Sequence, residues 1–148
     1  MNRLRLSPMG IEDLDDIEQI ERLSFSTPWP RQAFLKELCE NRLARYFIIR
    51  DGDRAVAYGG MWFIMDEAHI TNFAVHPGYR GRGIGKMLLK GMIDYGTSNG
   101  MESFTLEVNE SNHIAIGLYS GMGFVKAGVR KGYYSDTGED AIIMWLRL

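Results

Sequence analysis

Cysteine is almost absent from the 148-residue chain: Cys39 stands alone, which excludes an internal disulfide, a Cys-x-x-Cys pair and a thiolate zinc site. That composition suits a reducing compartment. Histidine is scarce too, with three copies. His69 and His76 fall on opposite faces of one predicted strand and His113 opens a later segment, so no metal site is expected. Neither sign of charge dominates: 17 Lys+Arg against 19 Asp+Glu gives a net charge of −2, so neither nucleic acid nor a membrane is an expected partner. Long apolar runs are missing. The longest, Ala141 to Leu146, falls far short of the roughly 20 residues that cross a bilayer. Arg3 and Arg5 are followed by Pro8, Glu12, Asp13, Asp15 and Asp16 where a signal peptide would carry its apolar stretch, so a cytoplasmic protein is expected. What is present, 45% hydrophobic and 24% charged residues, suits one globular domain over residues 1–148 with a core that needs no staple.

Proline is rare, with four copies, and punctuates where it occurs. Leu4 and Leu6 alternate with arginines as a short strand that Pro8 ends. Ile11, Leu14, Ile17, Ile20 (with Glu21) and Leu23 recur at helical spacing, with Glu12, Asp13, Asp15 and Asp16 in the first turns to suit the helix dipole. Pro28 breaks that helix and Pro30 opens a second, with Phe34, Leu35 and Leu38 as its stripe. Tyr46 to Arg50 and Ala55 to Met65 read as strands around Asp51-Gly52-Asp53, a hairpin signal. Ile70 to Val75 is a third strand, closed by His76-Pro77-Gly78. A helix follows on Ile84, Met87, Leu88, Met92 and Tyr95, ending near Asn99-Gly100. Phe104, Leu106 and Val108 mark a strand; Ser111 or Asn112 then caps a helix that Gly121 and Gly123 stop. Val125 to Tyr134 and Asp140 to Leu146 form a last hairpin, and the apolar run of the final strand implies burial on both faces. The order β-α-α-β-β-β-α-β-α-β-β predicts a mixed α+β protein with a single central sheet flanked by helices.

Arg80-Gly81-Arg82-Gly83-Ile84-Gly85 lies between a predicted strand and a predicted helix, where free backbone N–H groups and the helix dipole make an anion site. A nucleotide P-loop does not fit, because Arg80 stands where its first glycine belongs and Met87 where its hydroxyl belongs. A dinucleotide fingerprint would need a glycine at Lys86. The plainer reading is an exposed turn with solvated arginines. Further on, the alternation of Phe104, Leu106 and Val108 leaves Glu107 on the other face, a carboxylate in an apolar strand. It is either a rim residue paired with an arginine or a general base. Asn112 and Tyr119 sit about 700° apart in helix rotation, so both project near one face. Tyr119 is also a candidate core aromatic.

The loop in this strand-to-helix setting resembles the coenzyme A diphosphate loop of the GNAT N-acetyltransferases. Leu106-Glu107-Val108-Asn109-Glu110-Ser111-Asn112, leading to Leu118-Tyr119-Ser120-Gly121-Met122-Gly123-Phe124, is similar to that superfamily's second acetyl-CoA motif. Phe25-Ser26-Thr27-Pro28-Trp29-Pro30, Arg130-Lys131-Gly132-Tyr133-Tyr134 and Glu139-Asp140-Ala141 resemble the ribosomal-protein-alanine N-acetyltransferases, the RimI type. The likeness covers essentially the whole chain and implies the GNAT, or acyl-CoA N-acyltransferase, fold. It implies acetyl-CoA as cofactor, with coenzyme A as product. Phe73, Ala74 and Val75 would offer backbone groups to the pantetheine arm, Arg80, Gly81, Arg82, Gly83, Ile84 and Gly85 would hold the diphosphate, and Asn112 would hydrogen-bond the cofactor. Glu107 would take the amine proton, directly or through water, and Tyr119, near the sulfur, would donate to the thiolate. A backbone N–H near Val75 would polarise the carbonyl. Phe25, Trp29, Tyr133 and Tyr134 would flank the N-terminal segment of a protein substrate, a ribosomal one by resemblance, with Asp66, Glu67, Glu139 and Asp140 as candidate acidic neighbours. Gly132 stands where relatives often carry a bulkier residue.

The acceptor can be weighed by its proton. An α-amine titrates about 2.5 pH units below lysine, roughly 3.4 kcal/mol easier to deprotonate, so a modest carboxylate base favours an N-terminus. Lysine, a small-molecule amine or a non-catalytic acyl-CoA-binding role remain the alternatives. Cys39, remote from these motifs, gives no support to an acetyl-cysteine route.

Overall fold

In the computed structural model, which describes residues 3–148, the chain runs through β1 (Leu4–Pro8), α1 (Leu14–Ser24), α2 (Arg31–Cys39), β2 (Ala44–Asp51), β3 (Arg54–Ile64), β4 (Glu67–Val75), α3 (Ile84–Ser98), β5 (Ser103–Asn109), α4 (His113–Gly121), β6 (Val125–Tyr134) and β7 (Glu139–Arg147). This is the expected order. The strands make one seven-stranded sheet, β1-β2-β3-β4-β5-β7-β6, in which only β4 and β5 run parallel. β7 lies between β5 and β6, which pairs both its edges but does not cover both its faces: Ala141 and Met144 are buried while Ile142, Ile143, Trp145 and Leu146 are only partly so, short of the two-sided burial its apolar run implied.

Each face of the sheet carries its own core. Ile84, Leu88, Leu89 and Met92 of α3 and Tyr119 of α4 pack against Phe104, Leu106, Val108 and Met61 on one face. Leu14, Ile17 and Ile20 of α1 and Phe34 of α2 pack against Tyr46, Ile48, Tyr58 and Ala74 on the other. At Gly60 the approach is so close that a Cβ would stand 2.3 Å from the Tyr46 ring, so no larger residue fits there without displacing that ring. Asp13 departs from expectation. Instead of serving the dipole of α1 from the surface, it is buried, gripped through both carboxylate oxygens by Arg50 Nη1 (2.8 Å) and Nη2 (3.0 Å), with Gly10 N–H donating at 2.8 Å.

One irregularity shapes the rest. β4 and β5 pair only from Glu67↔Ser103 to Ile70↔Leu106. There the β3–β4 register slips, Gly60 facing Asn72 while Met61 faces Ile70, so Thr71 is an extra residue in β4. Such a bulge bends its strand. Beyond it the edges of 71–75 and 107–109 carry no ladder between them, and the sheet opens as a wedge between its two middle strands. No helix among the described residues is long and apolar enough to cross a membrane, and no group of three or more His, Cys, Asp or Glu among them could hold a metal ion.

Candidate active site

The glycine loop stands at the open end of the wedge. Gly81 and Gly83 are both left-handed (φ +78° and +77°), the conformation that lets the chain turn from β4 into α3 and that side-chain-bearing residues rarely adopt. Gly83 is the N-cap of α3 and offers no side-chain cap, so the N–H groups of Ile84, Gly85 and Lys86 have no intrahelical acceptor. A Cβ at Gly81 or Gly83 would meet nothing within 4 Å, so the loop's backbone is uncovered. Side chains brace it from behind. Arg80 Nε donates to Val75 O (3.1 Å) and its Nη2 to Ser24 Oγ (3.2 Å), while the Arg82 guanidinium lies 4.9 Å from the centre of the Tyr79 ring. His76 Nδ1 accepts from Gly78 N–H at 2.9 Å. Burial, then the charges of Arg54 and Arg80, hold the His76 pKa below its usual value, so the ring is neutral at pH 7 and Nδ1 can accept. Bare donors at the positive end of a 15-residue helix, beside two arginines, suit the diphosphate of a coenzyme.

The free edge of β4 supplies more donors. His76 N–H bonds back to Val56 O on β3, and by the two-residue alternation of an antiparallel pair the main-chain groups of Ala74 also face β3. Those of Phe73 and Val75 therefore face the wedge, as the bond from Arg80 to Val75 O shows directly. Of the three backbone positions expected to meet a pantetheine arm, Phe73 and Val75 face the wedge and Ala74 faces β3.

Across the wedge, the candidate acid and base occupy different faces. Tyr119 is buried in the α3/α4 core, its ring 5.9 Å from Phe73 and 5.8 Å from Phe124. Burial, then the neighbouring Tyr134, pushes its hydroxyl pKa well up, so the group stays protonated at neutral pH. Glu107 projects from the opposite face, with its side chain 31% exposed and Oε2 2.6 Å from Arg130 Nε. The rim reading of Glu107 is thus realised in part, since it does pair with an arginine. Tyr134 lies between the two: burial, then Tyr133, Glu107 and Glu139, raise its pKa to about 12.

The sequence profile of the Acetyltransferase (GNAT) family matches residues 14–124. The chain belongs to the GNAT acetyltransferase family. A Bacillus subtilis (strain 168) protein is 41% identical over 140 residues, covering 95% of this chain and 93% of its own. A Salmonella typhimurium protein named [ribosomal protein bS18]-alanine N-acetyltransferase is 37% identical over 145 residues, covering 95% of each chain. The crystal structure of the ribosomal-protein-S18-alanine N-acetyltransferase from Escherichia coli superposes with a TM-score of 0.89 at 33% identity, covering 97% of this chain and 93% of that one.

In this GNAT chain the two loops expected to flank an acceptor do come together. Ser26 Oγ donates to Asp136 Oδ2 at 3.1 Å, tying the α1–α2 loop to the β6–β7 hairpin across 110 residues of sequence. Phe25 and Tyr133 are exposed there, Trp29 is 36% exposed with its ring tilted against Phe34 (centroids 5.3 Å apart), and Tyr134 is half-buried. Tyr133 and Tyr134 do not splay as neighbours on a regular strand would. The ladder slips between Arg130 and Tyr134, Gly132 takes φ +59°, and the two rings meet at 5.1 Å.

Other expected groups are spent elsewhere. Asn112 caps α4, its Oδ1 accepting from Ala115 N–H at 3.2 Å, which leaves its amide NH2 for a ligand. Glu67 starts β4 and Asp66 lies in the turn before it, about 26 Å of strand away from Val75, too far to serve the cleft. Glu139 accepts from Asn109 Nδ2 (3.2 Å), and Asp140 accepts from Gly132 N–H (2.9 Å) and pairs with Lys131 (3.3 Å), so both acids build the hairpin. Sequence reasoning missed the polar wall behind the acceptor loop. Glu37 accepts from Tyr46 OH (2.8 Å), Trp62 Nε1 (2.7 Å) and Asn41 Nδ2 (2.8 Å), and Tyr46 also contacts Asn72 Oδ1 (2.9 Å) on β4. Glu21, buried at the end of α1, accepts from Trp29 N–H at 2.7 Å. By spacing both fall on the apolar side of their helices, Glu21 seven residues after Leu14 and Glu37 three after Phe34; only the packed helices reveal which donors each carboxylate meets.

Proposed function

We propose that this single-domain chain is an acetyl-CoA-dependent acetyltransferase of protein N-termini in the cytoplasm, and that its acceptor is the alanine N-terminus of a small-subunit ribosomal protein of the bS18 type. The observation that carries the reading is the split between β4 and β5, with backbone donors along one edge, a carboxylate on the acceptor face and a protonated phenol on the other. Likeness to enzymes named for bS18 alanine supports the choice of acceptor.

Arg80, Gly81, Arg82, Gly83, Ile84 and Gly85 would hold the diphosphate, Phe73 and Val75 the pantetheine arm, and Asn112 would bind through its amide NH2. When bound, acetyl-CoA supplies an activated thioester carbonyl. Glu107 takes a proton from the α-ammonium to leave a neutral nucleophile, directly or through water. The N–H of Val75, in the wedge, polarises the carbonyl oxygen. Tyr119 Oη, protonated because it is buried, donates to the departing sulfur. Phe25, Trp29, Tyr133 and Tyr134 flank the acceptor and exclude water from the amine. An α-amine loses its proton about 2.5 pH units below lysine, which suits a modest carboxylate base and supports N-terminal over lysine transfer.

Mass spectrometry of ribosomal proteins from cells lacking the chain tests this. One small-subunit protein should lose one acetyl group from an alanine N-terminus; an unchanged set of N-termini would contradict the proposal.

A further inference from the structure

Arg130 belongs to the hairpin motif but has no part in the chemistry above, and the structure directs it at the proposed base. Glu107 opposes Ile143 of β7, and Ile143 opposes Gly128 of β6; Arg130 opposes Ala141, two residues further along the same face. Gly128 and Ala141 leave little side chain on that face, so the long arginine can cross β7 and reach the carboxylate two strands away. The register slip that follows holds it there. Gly132 N–H is bonded to Asp140 Oδ1 and Lys131 Nζ lies 3.3 Å from Asp140 Oδ2, so the neighbouring lysine is engaged elsewhere and Arg130 is the cation that meets Glu107.

The contact is strong in position and weak in attachment. Nε approaches Oε2 at 2.6 Å, whereas Arg50 bonds both oxygens of Asp13. The guanidinium side chain is 58% exposed, so it can swing into water with little loss. The acceptor of the proposed reaction arrives as an ammonium, another N–H-bearing cation that needs the same oxygen.

We propose that Arg130 occupies, in the resting enzyme, the cation place at Glu107 that the acceptor's α-ammonium takes on arrival, and so determines how strongly the site selects a charged amine. The inference rests on the proposed acceptor but not on turnover. An amine must displace the guanidinium, which lowers its affinity severalfold; a blocked, uncharged terminus gains nothing from doing so.

Alaninamide and N-acetylalaninamide, titrated into the full chain without donor, test the exchange. In 15N NMR the Arg130 Nε–H resonance should move to the position of a free guanidinium with alaninamide and stay in place with N-acetylalaninamide. Arg130→Met should bind alaninamide about two- to fivefold more tightly and N-acetylalaninamide as before, a difference that loss of a merely structural contact would not produce. An Nε–H signal unmoved by alaninamide, or weaker alaninamide binding by Arg130→Met, would overturn the proposal. The titration of the unaltered chain decides the matter even if that variant does not fold. Displacement of Arg130 without any acetylation of an alanine-led peptide would instead count against the proposed function alone.

Discussion

Glu107 and Tyr119 stand on opposite faces of one sheet, and Tyr134 is near enough to both that Glu107 raises its pKa while it raises that of Tyr119. A continuous sheet would separate an acid from a base so placed. The bulge at Thr71 removes the barrier by ending the β4–β5 ladder at Ile70 and Leu106, so both side chains flank one opening.

Glu107→Gln and Tyr119→Phe should each lower kcat at least tenfold, within the range expected for losing one proton-transfer partner. Acetyl-CoA affinity should change little, because neither group belongs to the loop proposed to hold the diphosphate. Steady-state kinetics beside calorimetric binding checks this, and full turnover by either variant would remove that residue's role.

Gly83→Ala puts a Cβ on a residue at φ +77°, at a cost of about 1–2 kcal/mol. Because this residue opens α3 where the diphosphate would sit, acetyl-CoA binding should weaken about fivefold or more. Unaltered binding, read by calorimetry, would mean that the loop is not the anion cradle.

Asp13→Ala leaves the Arg50 guanidinium, mostly shielded with 15% of its side chain exposed, without its two-point partner. Breaking one side of a buried pair costs about 3–5 kcal/mol, so the urea midpoint should fall steeply while the variant stays folded in dilute buffer. A loss under 1 kcal/mol would show that Arg50 finds water instead.

Burial raises the Glu21 pKa above its ordinary value near 4.5, opposed by the bond from Trp29 N–H. The folded chain therefore holds this proton more tightly than the unfolded one. The stabilisation is complete below about pH 4.5 and is lost as pH rises through the folded pKa. Glu21→Gln, which can still accept from Trp29, should melt higher than the native chain at pH 7, with the gap closing below pH 4.5. A gap independent of pH would refute the burial argument.

The element order was legible because periodicity is local. Helix stripes such as Ile84, Leu88 and Met92 and the Asp51-Gly52 turn need no knowledge of distant strands. The loop was legible for the same reason, since alternating glycines before an amphipathic helix can be read in six residues. Glu107 stood out as a carboxylate in an apolar strand. The wedge was not legible, because it depends on a register between residues 60–61 and 70–72 that no local pattern encodes. Nor was the partner of Glu107. Arg130 reaches it across β7 because Gly128 and Ala141 are small, a relation that exists only once three strands are paired. Asp13 misled for a related reason: an acid near a helix start suits the dipole, and only the proximity of Arg50 turns it into a buried partner.

The account rests on transfer to an α-amine, and one peptide decides it most directly. A peptide with a free N-terminal alanine and an internal lysine, incubated with the enzyme and acetyl-CoA, is sequenced by tandem mass spectrometry. The account predicts one acetyl group on the alanine nitrogen and an unmodified lysine. Acetylation of the lysine, or equal rates on a peptide whose N-terminus is blocked, would contradict it.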